Sequence, residues 1–240
     1  MLTVGSLFSG IGGLDLGFER AGFAIRWQVE IDPFCRAVLE KHWPDVTRFF
    51  DVRKLRRPPT VDVLCGGFPC QDISFAGFGA GLDGARSGLW ADMCRIICEI
   101  RPRYVVVENV AALYQRGLGR VLGDLAGIGF DAEWGSLSAC SMGQTHMRQR
   151  VFIVAYADGE YGRARLRDSL TRAFRPLQEV NGFACARARA RARLADPSAL
   201  YGGADGISNG LDRNHAIGNA VDPAVAQWIA ERIKDAEGLT

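Results

Sequence analysis

Apolar residues recur along this chain in two spacings, and the spacing changes at glycines and prolines. Leu2 to Phe8 is a β-compatible, largely apolar stretch, after which glycines intervene and Leu14, Leu16, Phe18 and Ala21 follow at helix-compatible intervals. This predicts a strand, a turn and a helix. Ile25 to Glu30 predicts a second strand, and Asp32-Pro33 then supplies an N-cap and a first-turn proline for a helix reaching about Lys41. Val61 to Cys65 and Tyr104 to Val107 are short, continuous apolar runs, as expected of strands buried on both faces. Between them the pattern predicts a long loop, Phe68 to Gly88, and a helix from about Leu89 to Ile100. A further strand spans Val151 to Ala155. Asp222-Pro223 opens a last helix, whose Val225, Trp228, Ile229 and Ile233 at helical spacing predict packing back onto the sheet. Such alternation of strands and helices predicts a mostly parallel, doubly wound α/β sheet, with ligands beyond the carboxyl ends of its strands.

A chain of 240 residues can bury one sizeable core, so one main domain with a small appendage is expected. The net charge of +2 is too small to point to a nucleic-acid partner, but the charge is unevenly placed. From about Tyr156 to Asn214 the apolar periodicity fades, and between Asp158 and Leu194 nine arginines face four carboxylates. Arg187, Arg189, Arg191 and Arg193 alternate with alanine there, as a solvated basic segment or as an ordered contact to DNA. No basic start followed by an apolar core marks the N-terminus, and no apolar run reaches the ~18–20 residues of a membrane span. The chain therefore reads as soluble and cytoplasmic. Seven cysteines without secretory context fit reduced thiols, and no compact Cys/His cluster predicts a metal. Cys65, Cys94 and Cys98 are expected in the core.

The candidate chemistry gathers at the predicted strand ends. In Cys65-Gly66-Gly67-Phe68-Pro69-Cys70-Gln71 a thiol follows a proline inside a glycine-rich turn, so Cys70 reads as a presented nucleophile assisted by neighbouring amides. Gly10, Gly12 and Gly13 allow the backbone to approach a ligand, yet they match neither a dinucleotide fingerprint nor a P-loop. Glu30, at the end of the second strand, can accept from a ribose diol. Asp51 can accept from an adenine amino group or serve as a turn residue. An adenosine moiety without phosphate suits this set, which points to S-adenosylmethionine. Glu108, ending the run from Tyr104, faces the same crevice as Cys70. Arg148 and Arg150, on one side of an extended segment, can meet an anionic or carbonyl-rich substrate.

In their order along the chain, Phe8-Ser9-Gly10-Ile11-Gly12-Gly13, Pro69-Cys70, Glu108-Asn109-Val110 and Arg148-Gln149-Arg150 resemble the cytosine-C5 DNA methyltransferase family. The resemblance covers residues 2–155 and about 203–234. It implies the S-adenosylmethionine-dependent methyltransferase fold: a catalytic and cofactor-binding domain over 1–155, a shortened target-recognition region over 156–202, and a returning segment and helix over 203–240. It implies that Phe8, Gly10, Gly12, Gly13, Glu30 and Ile31 bind S-adenosylmethionine, bordered by Asp51, Val52, Pro69 and Leu89. Gly218-Asn219-Ala220-Val221 looks like the family's last motif, which brings Asn219 to the cofactor. Cys70 would be the nucleophile, Glu108 the acid that engages cytosine, and Arg148 and Arg150 the residues that hold the flipped base.

The implied reaction is methyl transfer to C5 of cytosine in double-stranded DNA by a monomer, as in restriction-modification. The small recognition region leaves open a separate specificity partner. Thr145 and His146 depart from the family's usual proline and glutamine before the paired arginines. Three other readings stand beside this one: an RNA cytosine methyltransferase, whose Cys-Phe-Thr signature is absent; a non-catalytic DNA-binding relative; and a nicotinamide-dependent oxidoreductase, for which the glycine spacing is wrong.

Overall fold

The computed structural model describes residues 1–69, 88–143, 149–157 and 220–239. Within them, Val63–Gly66 (β4) and Tyr104–Asn109 (β5) are buried at every position, as strands covered on both faces must be. They form the centre of a sheet with β1 (Thr3–Leu7), β2 (Ala24–Val29), β3 (Thr47–Phe49), β6 (Phe130–Ser138) and β7 (Gln149–Ala157). The order is β3-β2-β1-β4-β5-β7-β6. Pairings from β3 through β5 are all parallel, and β7 runs against both of its neighbours. The chain winds outward from β1 to β3 and then returns to lay β4 on the other side of β1. That reversal opens a crevice at the carboxyl ends of β1 and β4.

Successive residues of β5 serve two cores, as the two-residue period of a strand dictates. Val105 and Val107 pack with α3 (Gly88–Ile100) and α5 (Leu118–Gly127) on one face. Val106 and Tyr104 pack on the other, with α1 (Gly13–Arg20) and the C-terminal helix α6 (Pro223–Glu237). Two helices begin as their sequences predict: Asp32 accepts from Cys35 N at 2.9 Å to start α2 (Pro33–His42), and Asp222 accepts from Ala224 N at 2.8 Å to start α6. β3, β6, α5 and the short α4 (Leu113–Arg116) are elements that the apolar pattern did not separate.

Cys65 is buried in the core as expected, whereas Cys94 is only partly covered and Cys98 is exposed on the outer side of α3. These three and Cys35 are free thiols. Among the described residues no helix is long and apolar enough to cross a membrane. Residues 158–219, which hold nearly all of the expected recognition region with Arg187, Arg189, Arg191 and Arg193, lie outside the described residues.

Beneath the first loop sits a buried polar cluster. Asp15, fully buried on α1, accepts from Gln28 Nε2 at 2.9 Å and from Ser6 Oγ at 3.1 Å. Burial still pushes its carboxyl up from 3.8 to about 6. Between these values the folded chain holds a proton that the unfolded chain releases. Asp15 thus favours the fold most below its unfolded value, and that contribution is lost as pH rises through about 6. Relative to Asp15→Asn, which cannot ionise, the parent should lose on the order of 2–3 kcal/mol of unfolding free energy between about pH 4 and pH 7. Urea titrations of both proteins across that range test this. A difference that does not vary with pH would remove Asp15 as the cause.

Candidate active site

β1 runs into a loop whose backbone is left-handed at Phe8 (φ 54°), Gly10 (φ 56°) and Gly12 (φ 84°). For Phe8 this conformation costs ~1–2 kcal/mol, so its surroundings must hold it. Ser9 N donates to Val29 O at 3.0 Å, and Gly12 N donates to Ser9 O at 2.9 Å. Glu30, one residue beyond β2, accepts from Gly10 N at 2.7 Å and from Asp32 N at 2.8 Å. One carboxylate therefore fixes both the glycine loop and the start of α2. Its remaining lone pairs stay available to a ligand's hydroxyls. A Cβ on Gly13 would come within 2.2 Å of the Val221 carbonyl oxygen, so only glycine lets α1 and the segment before α6 meet there.

These elements open on a cavity of about 590 Å³ at the carboxyl ends of β1, β2, β4 and β5, a volume that suits a nucleoside-sized ligand. Phe8, Gly10, Gly13, Glu30 and Ile31 line it from one side, and Asp51, Val52, Pro69 and Leu89 from the others. Glu108 and Arg150 face the same space. Gly12 does not line the cavity; it caps α1 and lies against Trp43, whose ring a Cβ would meet at 2.4 Å. Cys70, Arg148 and Asn219 lie outside the described residues, although their neighbours Pro69 and Ala220 both line the cavity. Asp51 is both a turn residue and a wall. Its carboxylate takes the Arg53 side chain at 2.9 Å and the Arg53 amide at 3.0 Å, which holds it below the usual carboxylate range.

The antiparallel pairing of β7 with β5 ends at Asn109 opposite Val151, which sets Arg150 just past the end of β5. From there its Nε meets Glu108 Oε1 at 3.0 Å, with side-chain exposures of 21% and 10%. This charge pair is largely shielded from water and faces the cavity. Gly67 makes room for it, because a Cβ there would lie 2.5 Å from Glu108 Oε2. Asn109 secures the other side of the turn by donating Nδ2 to Phe68 O at 3.1 Å while its Oδ1 accepts from Val110 N at 2.9 Å. The backbone two residues before Cys70 is thus tied to the residue after Glu108.

Cys35, Phe50, Arg53 and Asp92 are among the lining residues that had no place among the sequence candidates. Burial, reinforced by Glu30 and Asp32, pushes the Cys35 thiol up to about 12, which favours the thiol over the thiolate. Burial also raises Cys65 and Cys94. The signal that could have found Phe50 and Arg53 is their position flanking Asp51, just beyond a strand too short to stand out.

Comparison with known proteins agrees with this geometry. Residues 2–179 match the model of the C-5 cytosine-specific DNA methylase family. Over 162 residues the chain is 35% identical to the type II methyltransferase M2.BsuMI of Bacillus subtilis, covering 64% of this chain and 42% of that relative. Over 159 residues it is 35% identical to the type II methyltransferase M.NgoPII of Neisseria gonorrhoeae, covering 63% and 47%. The structure of the S. pombe Dnmt2 methyltransferase shares the fold, with a TM-score of 0.57 at 18% identity over 70% of this chain and 60% of that one. The chain spans about half the length of the curated relatives it matches. Because the family match takes in β1 with its glycine loop, the turn before Cys70, and the strands bearing Glu108 and Arg150, the chain belongs to the C-5 cytosine-specific DNA methylase family.

Proposed function

We propose that this chain transfers a methyl group from S-adenosylmethionine to C5 of a flipped-out cytosine in double-stranded DNA. The observation that carries the reading is that one cavity holds both Glu30 and the Glu108–Arg150 pair. The first suits a nucleoside cofactor, and the second suits the edge of a pyrimidine. The donor set also fits this cofactor: a carboxylate stands at the end of β2 and apolar walls flank it, without the lysine-bearing phosphate cradle of a P-loop. Glu30 would hold the ribose hydroxyls, with Phe8, Gly10, Ile31 and Val52 around the nucleoside. In the same reading residues 1–155 form the catalytic domain, 156–202 the reduced recognition region, and 203–240 the returning segment.

Bound there, the cofactor supplies an electrophilic methyl group on a sulfonium. Cytosine C5 is a poor nucleophile, so the Cys70 thiolate adds to C6, and the electron pair displaced from the C5–C6 double bond makes C5 enamine-like. Glu108 hydrogen-bonds N3 and the exocyclic amino group as charge develops in that addition. Arg150 holds the base through O2, and Arg148 supports the loop that carries it. With the methyl group on C5, loss of the C5 proton to water would re-form the C5–C6 double bond and expel Cys70 as thiolate. A stacked base exposes neither face to a thiol, so the cytosine must leave the duplex first.

Expression in cells that lack cytosine methylation, followed by bisulfite mapping of their DNA, tests this reading. The expected result is 5-methylcytosine at a defined sequence. Unmethylated DNA together with methylated RNA would transfer the activity to the other nucleic acid. Glu30→Ala should weaken S-adenosylmethionine binding by ~1–3 kcal/mol, the usual cost of losing hydrogen bonds to a charged acceptor. Calorimetry that finds equal affinity would remove Glu30 from the site.

A further inference from the structure

We infer that Arg36 is a positioning residue of the cofactor site, holding Phe50 and Ile31 as the two apolar lips that clasp the purine ring. The inference rests on the S-adenosylmethionine reading above, which already includes Ile31, and assigns a role to Arg36 and Phe50, which lie outside the motifs that support it.

Three observations lead to it. First, β2 and β3 pair in parallel with Val29 opposite Phe49, and Glu30 N donates to Phe49 O at 3.1 Å, so Ile31 and Phe50 both follow directly on the paired ends of these two strands. Second, both side chains line the cavity, yet Ile31 is 60% exposed and Phe50 63% exposed. Two apolar groups left open at a cavity mouth favour a flat apolar ligand, since covering them removes their surface from water. Third, Arg36 reaches both lips without lining the cavity itself. Its Nη1 donates to Ile31 O at 2.6 Å, and its guanidinium carbon lies 4.7 Å from the centre of the Phe50 ring.

The planar guanidinium can do both at once because its donors lie in one plane while its face stacks on an aromatic ring. Its own base is firm: Arg36 stands in the first turn of α2, where its amide donates to Asp32 O at 3.0 Å. Asp32 N is in turn held by Glu30. Sugar-binding carboxylate and base-binding lips therefore share one support, and Glu30 and Ile31 are adjacent in the order that sugar and base have in a nucleoside.

The test measures cofactor affinity by calorimetry, with S-adenosylmethionine and with adenosine alone, beside kcat and cofactor KM. Arg36→Ala should raise the Kd for both ligands and the KM by about five- to twentyfold, the range expected when a stacking partner loses its support. kcat at saturating cofactor should stay within about twofold, because the lips touch no reacting atom. Arg36→Lys should recover only part of the loss, since an ammonium cannot stack and donate in the same plane. Phe50→Ala should weaken binding similarly, and adding Arg36→Ala to it should cost little more, as for two residues acting as a unit. Additive losses in the double variant, or an unchanged Kd in Arg36→Ala, would overturn the inference while leaving the proposed function in place. If the parent binds neither ligand, the cofactor reading and this inference fall together.

Discussion

Replacing Cys70 with serine should abolish methyl transfer, by at least about 10³-fold, while S-adenosylmethionine binds nearly as tightly as to the parent. Serine preserves the shape of the side chain but gives almost no anion near neutrality, whereas cysteine supplies a small standing fraction of thiolate. The turn itself should survive, because Phe68 O is held by Asn109 Nδ2 rather than by the thiol. Methyl transfer to duplex DNA and calorimetry with the cofactor separate the two effects. A duplex carrying 5-fluorocytosine at the target adds an independent reading, because fluorine cannot leave as a proton does and the Cys70 adduct should accumulate. Serine turnover at the parent rate, or no adduct where the normal duplex is methylated, would sink the covalent route.

The second large effect is expected at Glu108, where glutamine keeps the length and loses the charge. Turnover should fall by ~10²–10³-fold, as when one transition-state stabiliser is removed. Part of any change will be structural, since Arg150 is left facing a neutral partner in a largely shielded site. Thermal unfolding therefore accompanies the kinetics. A variant that unfolds near the parent temperature but turns over slowly assigns the loss to chemistry, and one that keeps the parent rate removes Glu108 from the mechanism. Affinity for the cofactor should change little, because the proposed reading gives Glu108 to the cytosine and Glu30 to the cofactor.

The sheet was legible wherever burial leaves no polar side. Tyr104 to Val107 lies inside on both faces and reads as one apolar run, and the strand, turn and helix around Gly10 to Gly13 are punctuated by residues with few other uses. β3 was not legible because its three residues, Thr47, Arg48 and Phe49, are too short a segment to show a period. α5 was masked by glycines at 119, 123 and 127, which lower helix propensity, although Leu118, Val121 and Leu125 do mark a buried stripe. β6 mixes Asp131, Glu133 and Gly135 with apolar positions because it lies at the edge of the sheet.

At the site, Glu30, Glu108 and Arg150 could be read from the strands that carry them. Arg36 and Phe50 could not. Their contact joins a helix to a strand end that only the β2–β3 register brings together. Asp51 carried two compatible roles, and nothing in the sequence shows that Arg53 occupies its carboxylate.

The contact of Gly13 with the Val221 carbonyl has a consequence for how the protein is made. The glycine loop leaves the ribosome well before α6, which packs with α1 in one core. Every described strand of the sheet can therefore be synthesised before Val221 closes against Gly13. A nascent chain, or one ended early by a stop codon before residue 220, would carry the glycine loop and Glu30 without the backbone that closes against Gly13. Such fragments should hold the cofactor poorly. On the proposed reading, competence to hold the cofactor would then wait on the docking of α6.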